Sequence, residues 1–119
     1  MDIEEFRDYC IAKKGITEEF PFDRNTLVFK VMGKMFALVP LERIPSQVNL
    51  KCDPERAVSL RGEYDGVIIP GYHMSKVHWN TLFIENLPSP LLKDLVDHSY
   101  GLVVSKFTKK LKSEFDSLG

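Results

Sequence analysis

Lys76, His78, Trp79 and Asn80 place a cation, an imidazole, a large flat ring and a carboxamide within five positions. Around them, Pro70 to Ile84 also holds a second histidine, His73, and the only tryptophan of the chain. Such groups side by side suit recognition of an anionic or planar ligand. In an extended strand Lys76, His78 and Asn80 share one polar face and Val77 and Trp79 the other. Trp79 then reads as a core anchor, and the polar face as either a recognition surface or a merely solvated one.

Lysines form the second group with chemical potential. Lys106, Lys109 and Lys110 recur at three and four residues, which in one helix puts them on one face. They suit either phosphate contact or the favourable placement of cations near a helix C-terminus. Lys30 and Lys34 flank Met32-Gly33, and Lys51 sits on the polar side of an alternating run. Arg56 and Arg61 follow it on a helix and could extend a basic patch.

Catalytic patterns are absent from the sequence. His73 and His78 are five apart, which favours opposite faces of one strand, and no cysteine or carboxylate stands near them or His98 at metal-site spacing. Ser99 falls on an apolar helical stripe without a nucleophile-elbow pattern around it, so packing accounts for it. Gly62, Gly66, Gly71 and Gly101 make neither GxGxxG nor a P-loop. No metal, no cofactor and no enzymatic activity are expected.

These residues need a scaffold. Asp2 with Glu5 forms a capping-box pattern for a first helix whose stripe is Ile3, Phe6 and Cys10, ending near Gly15. Thr17 to Asp23 alternates weakly; Thr26 to Val31 and Lys34 to Val39 alternate strongly across a turn at Met32-Gly33. Ser46 to Cys52 is a fourth strand with Val48, Leu50 and Cys52 inward and Gln47, Asn49 and Lys51 on a wet face. Asp53-Pro54 starts a helix running to about Gly62. Val67 to Pro70 is a short apolar segment, and Val77 to Glu85 a fifth strand. From Ser89-Pro90 onward Leu92, Leu95, Val96, Ser99, Val103, Phe107, Leu111 and Phe115 mark one long helix, or two joined near Gly101.

Turns too short for parallel crossovers between the early strands indicate an α+β domain: an antiparallel sheet of about five strands covered by N-terminal, middle and C-terminal helices. A length of 119 residues suits one domain, 1–119. The apolar fraction of 44% and charged fraction of 28% exclude disordered and fibrous classes. No apolar run reaches the roughly 18 residues of a membrane span, and the acidic start lacks signal-peptide character, so a cytoplasmic protein is expected. Cys10 and Cys52 read as reduced thiols. A net charge of -1 excludes strong indiscriminate nucleic-acid binding. Charge is nonetheless uneven: seven carboxylates face three basic residues over 1–23, whereas 71–112 holds six lysines against three carboxylates.

Several stretches also resemble a known family: Pro21-Phe22, the hairpin Leu27 to Phe36, Lys51-Cys-Asp-Pro-Glu55 and Ser99-Tyr100. The most specific is Pro70-Gly-Tyr-His-Met74 with Lys76 and His78-Trp-Asn-Thr81. Together they are similar to the MmcQ/YjbR family of small bacterial proteins over nearly the whole chain. The resemblance implies a twisted antiparallel sheet covered by helices, related to secretion-chaperone-like and frataxin-like architectures. It also implies a two-winged DNA-binding surface, in which the Met32-Gly33 hairpin with Lys30 and Lys34 is a wing. The resulting expectation is a binding domain whose partner is DNA, held weakly through Lys30, Lys34, Lys51, Lys106, Lys109 and Lys110. The alternative is a protein or small anionic ligand held at Lys76, His78, Trp79 and Asn80.

Overall fold

Local chemistry sets the helix starts. Asp2 accepts from the Glu5 amide at 2.8 Å while the Glu5 carboxylate reaches back to the Asp2 amide, which starts α1 (Ile3–Ile11). Asp53 accepts from the Arg56 amide and Pro54 occupies the first helical position of α2 (Pro54–Glu63). The computed structural model describes residues 1–71 and 74–119. Its strands are β1 (Ile16–Glu19), β2 (Thr26–Val31), β3 (Lys34–Pro40), β4 (Gln47–Lys51), β5 (Ile68–Pro70) and β6 (Trp79–Phe83). Two C-terminal helices complete it, α3 (Ser89–Ser105) and α4 (Lys109–Asp116).

The α+β class expected from the sequence is the one observed, as an antiparallel sheet in the order β1-β2-β3-β4-β6-β5. It has six strands rather than about five, because the apolar segment at Ile68 pairs with β6 and forms an edge. That edge strand is three residues long and ends in proline, both of which discourage further pairing. Met32 and Gly33 both take positive φ, 50° and 83°, as a two-residue hairpin turn with the right twist requires. Met32 also donates its amide to Gly15 O at 3.0 Å, tying the hairpin tip to the end of the α1 connection.

The two sheet faces differ. One carries Leu27, Phe29, Val31, Val39, Val48, Leu50, Ile68 and Leu82 against Phe6 and Cys10 of α1, Ala57 and Leu60 of α2, and the stripe Leu92, Leu95, Val96 and Val103 of α3. On the other face Val28, Leu38 and Trp79 make a small separate cluster, with Met35 and Met74 packed on it. No helical residue belongs to that second cluster among the described residues.

Ser99 has a larger task than packing. An irregularity between Phe29 and Lys30 inserts Phe36 as an extra residue in β3, and direct β3–β4 pairing is confined to Ala37–Leu50 and Leu38–Asn49. The fully buried Ser99 hydroxyl fills the gap, donating to Phe36 O at 2.6 Å and accepting the Lys51 amide at 3.0 Å. It therefore satisfies two backbone groups that the bulge takes out of the ladder. A second tie runs from the Asp53 amide to Nε2 of His98 at 3.1 Å, joining the start of α2 to α3.

Two outcomes follow from these ties. Ser99→Ala strands a buried carbonyl and a buried amide, so it should lower stability by about 1–3 kcal/mol, read as a shift in the urea midpoint at unchanged slope; an unchanged midpoint would show the bridge to be dispensable. His98 responds to pH. Burial, and then the Arg56 guanidinium, hold its imidazole below the ordinary 6.5, against the opposite pull of Asp53 and Asp94. The unfolded chain thus takes up the proton first, so the stability present in full above about pH 6.5 declines as pH falls below it. His98→Gln keeps an acceptor for the Asp53 amide but does not titrate. Urea midpoints measured at about pH 7.5 and pH 5.5 should fall further in the wild type than in this variant.

Candidate functional site

The recognition groups predicted for the Pro70–Ile84 stretch are split between the two faces, and the assignment of faces is the reverse of the expected one. Register pairs Asn80 with Leu50 and Pro70, in a row that faces the helices. Asn80 is accordingly buried, accepting from Arg61 Nε at 2.7 Å. Trp79 pairs with Lys51 and points to the face that carries no helix among the described residues, where it is buried against Val28 and Leu38. The polar set Lys76/His78/Asn80 therefore does not form one surface. The strand begins only at Trp79; Lys76 and His78 lie in the preceding turn with exposed side chains. Their backbones are engaged: Lys76 O accepts from Arg61, and His78 O from the Cys52 amide at 2.8 Å. His73 lies outside the described residues.

Arg61 does not extend a basic patch. Instead its guanidinium holds Asn80, Lys76 O and, at 3.4 Å, Trp79 O, so α2 clamps the turn that leads into β6. Gly71 completes the clamp by donating to Trp79 O at 2.8 Å. A Cβ on Gly71 would stand 2.8 Å from that of Trp79 and 3.0 Å from its carbonyl oxygen, closer than any side chain tolerates. The glycine of the Pro70-Gly71 motif is thus explained by close approach to the tryptophan backbone.

The lysines behave differently. Two adjoining surface depressions, of about 420 and 440 Å³, lie between the β2–β3 hairpin and the α3–α4 junction. Lys34, Lys106 and Phe107 border both; Lys110 and Glu114 border one, Lys51 and Trp79 the other. Lysines distant in sequence therefore meet in one cleft. Lys51 Nζ stands 5.7 Å from the Trp79 ring centroid, a cation–π contact that steers it along the cleft wall. No carboxylate among the described residues forms a salt bridge with Lys34, Lys51, Lys106, Lys109 or Lys110.

Two expectations about these lysines change. The helix does not run through to the C-terminus, nor does it break at Gly101, which lies inside α3. The break comes at Lys106–Thr108, because the Thr108 hydroxyl accepts the Leu111 amide and caps a new helix. Lys106 is the C-cap of α3, whereas Lys109 and Lys110 open α4, whose first turn contains no acidic residue. The three do not share one helix face. Cations at a helix N-terminus are also disfavoured by the dipole, so the last two occupy the less favourable end. Lys30 is separate again: on the face that carries Trp79 it pairs with Glu19 at 3.1 Å, and this bond first of all holds the Glu19 carboxyl below its usual range.

An aromatic column fixes the cleft's helical wall. Phe36 and Tyr100 meet edge to face at 5.5 Å, Tyr100 and Phe115 at 6.4 Å, and Phe115 and Phe107 at 5.6 Å. The Tyr100 hydroxyl donates to Lys14 O at 2.5 Å. Thr108, Phe107 and Glu114 are cleft residues that the sequence reading missed. Thr108 carried a usable signal, a capping residue three positions before an apolar one.

A single-sheet α+β domain with helices on one face, no helix on the other among the described residues, and a lysine-lined cleft beside its β2–β3 hairpin is the class these features define. The chain belongs to the YjbR family, whose profile matches residues 11–102. It is 35% identical over 106 residues to the uncharacterised YjbR protein of Escherichia coli strain K12, covering 88% of this chain and 89% of that one. It is 38% identical over 92 residues to the uncharacterised YbdF of E. coli O157:H7, covering 76% and 75% of the two chains. The crystal structure of Deinococcus radiodurans DR2400, a DUF419 domain, superposes with a TM-score of 0.88 at 40% identity, over 96% of this chain and 87% of that one.

Trp79→Ala should cost about 3–5 kcal/mol, the usual range for truncating a buried aromatic residue. Arg61→Ala, which leaves Asn80 Oδ1 without its strongest partner, should cost less, about 1–2 kcal/mol. Thermal melts of both variants check the order; a Trp79→Ala protein as stable as wild type would mean that the ring anchors nothing.

Proposed function

We propose that this protein acts by binding rather than catalysis, and that the cleft between the β2–β3 hairpin and the α3–α4 junction grips the phosphate backbone of a nucleic acid weakly. One observation carries the reading: Lys34, Lys51, Lys106 and Lys110, from separate parts of the chain, border adjoining depressions in which Glu114 is the only acidic residue among the described lining. Collecting like charges without partners raises the local potential, and a phosphate diester offsets both their repulsion and the dipole penalty of Lys109 and Lys110. The hairpin serves as a single wing, tied at its tip to Gly15 and contributing Lys34. Lys30 contributes nothing directly, because Glu19 already neutralises it. A chain of net charge -1 supports a small footprint, not tight wrapping.

Fluorescence anisotropy with a labelled duplex tests this. If three lysines each meet one phosphate, log K should fall against log salt with a slope near about -2.7, a roughly fortyfold loss between about 50 and 200 mM salt. Lys34→Glu with Lys106→Glu should abolish binding while leaving the melting temperature near wild type, since exposed charges add little stability. Lys30→Ala should leave affinity within about twofold, having no free charge to lose. Absence of binding at low salt, or binding indifferent to both salt and the double substitution, would overturn the proposal.

A further inference from the structure

The opposite end of the face that carries Trp79 has different chemistry. A row of paired residues crosses the whole sheet there, Glu19–Val28–Leu38–Asn49–Thr81–Ile69. Beside it, away from the hairpin, a groove of about 640 Å³ opens between the start of β2, the end of β3 and the start of β4. This volume falls within the range of small-molecule sites, about 300–1,000 Å³. Its apolar lining is Phe22, Met35, Leu38, Pro40 and Met74. Phe22 lies 64% exposed at the lip. The two methionine side chains are unbranched and polarisable, and adapt to a flat surface.

One polar residue in this apolar setting stands out. Asn49 lies on the groove floor only 8% exposed, and its Oδ1 accepts the Thr81 hydroxyl at 2.5 Å. That bond fixes the carboxamide, so its nitrogen is the end left over, and this nitrogen has no hydrogen-bond partner among the described residues. A half-used amide in an apolar groove offers two N–H donors to whatever fills the space. Gln47, two residues along the same strand and on the same face, stands beside it. The lip adds Asp23 and Glu42 against Arg43. The Asp23 charge is firmly held: bonds from the Asn25 amide first, then from Thr26, keep its carboxyl below the usual range. Two carboxylates against one guanidinium disfavour an anion, in contrast to the lysine cleft.

We propose that this groove is a binding site for an uncharged, flat, largely apolar small molecule that presents a carbonyl or ring-nitrogen acceptor to the Asn49 amide. The ring body would lie on Leu38 and Pro40 between the two methionines. Among the described lining the site shares only Met35 with the lysine cleft, and either site can exist without the other.

Nile red is a suitable probe, being neutral, planar and apolar, with one carbonyl and an emission that moves to the blue on leaving water. Titration into the full chain should show saturable binding of one dye per chain with a blue shift. Asn49→Leu keeps the approximate shape of the residue and removes its donors, so affinity should fall at least about tenfold, the loss of one well-placed bond to a buried acceptor. Phe22→Ser changes only an exposed lip residue, cannot unfold the chain, and should weaken binding by about three- to tenfold through lost apolar contact. Lys34→Glu should leave dye affinity unchanged. Equal affinity in wild type, Asn49→Leu and Phe22→Ser would overturn the proposal. So would sedimentation showing a dimer that the dye must dissociate, since Phe22 and the 95% exposed Ile44 would then cover this end with a second copy.

Discussion

The hydroxyl of Ser99 is the contact on which the rest of this molecule turns. Extra residue Phe36 bends β3 and interrupts its ladder to β4, and a break of that kind in a buried sheet strands backbone groups unless something else meets them. Ser99 meets two at once and does so from α3, so the helix is registered against the sheet by hydrogen bonds as well as by its apolar stripe. The bulge also turns the Phe36 ring inward against Tyr100, where the aromatic column toward Phe115 begins. The position of α4, and with it the far wall of the lysine cleft, descends from that single irregularity. Lys51, whose amide Ser99 receives, borders the same cleft.

Sheet and helices were legible from the sequence because their signals are local. The capping box at Asp2, the Asp53-Pro54 start and the Met32-Gly33 turn each depend on neighbours within three or four residues, and each stands where expected. Ile68–Pro70 was harder, since three residues hold too little periodicity to identify a strand and only pairing with β6 makes them one. The face occupied by Trp79 was beyond reach for another reason. Alternation says that Trp79 and Asn80 point to opposite sides, but not which side the helices cover. Size and polarity suggested the tryptophan for the core. In the fold the buried asparagine is made tolerable by Arg61, and the tryptophan by a private apolar cluster on the other face.

Spacing misled at the lysines in an instructive way. Lys106, Lys109 and Lys110 have helical intervals, and intervals are blind to a cap between them. Thr108 starts a new helix, so the shared face dissolves, yet the break brings Lys106 and Lys110 round the rim of a cleft that a straight helix would not form. Their meeting with Lys34 and Lys51 was invisible for the ordinary reason that tertiary neighbours are remote in sequence. The reverse holds for Lys30, which flanks the hairpin as neatly as Lys34 but is taken up by Glu19 from β1.

A sheet with helices on one face must do something with the other. Here the face that carries Trp79 is neither uniformly polar nor uniformly greasy. Its middle row passes from a charged pair at β1 through Val28 and Leu38 to the amide and hydroxyl of Asn49 and Thr81. Trp79, Met35 and Met74 packed with Val28 and Leu38 shield much of the apolar centre without a helical layer among the described residues. What these side chains leave unshielded lies at the two ends. At the hairpin end lysines supply the charge, beside apolar lining from Met32, Met35, Trp79, Val103, Phe107 and Leu111. At the far end, among the described residues, Asp23 and Glu42 stand against Arg43 on the lip, and the apolar lining surrounds the amides of Asn49 and Gln47. The formal charge of the described lining residues therefore changes sign from end to end. By the same charges an anion drawn to the lysines is disfavoured beside Asp23 and Glu42, so the two ends of this six-stranded sheet present different chemistry.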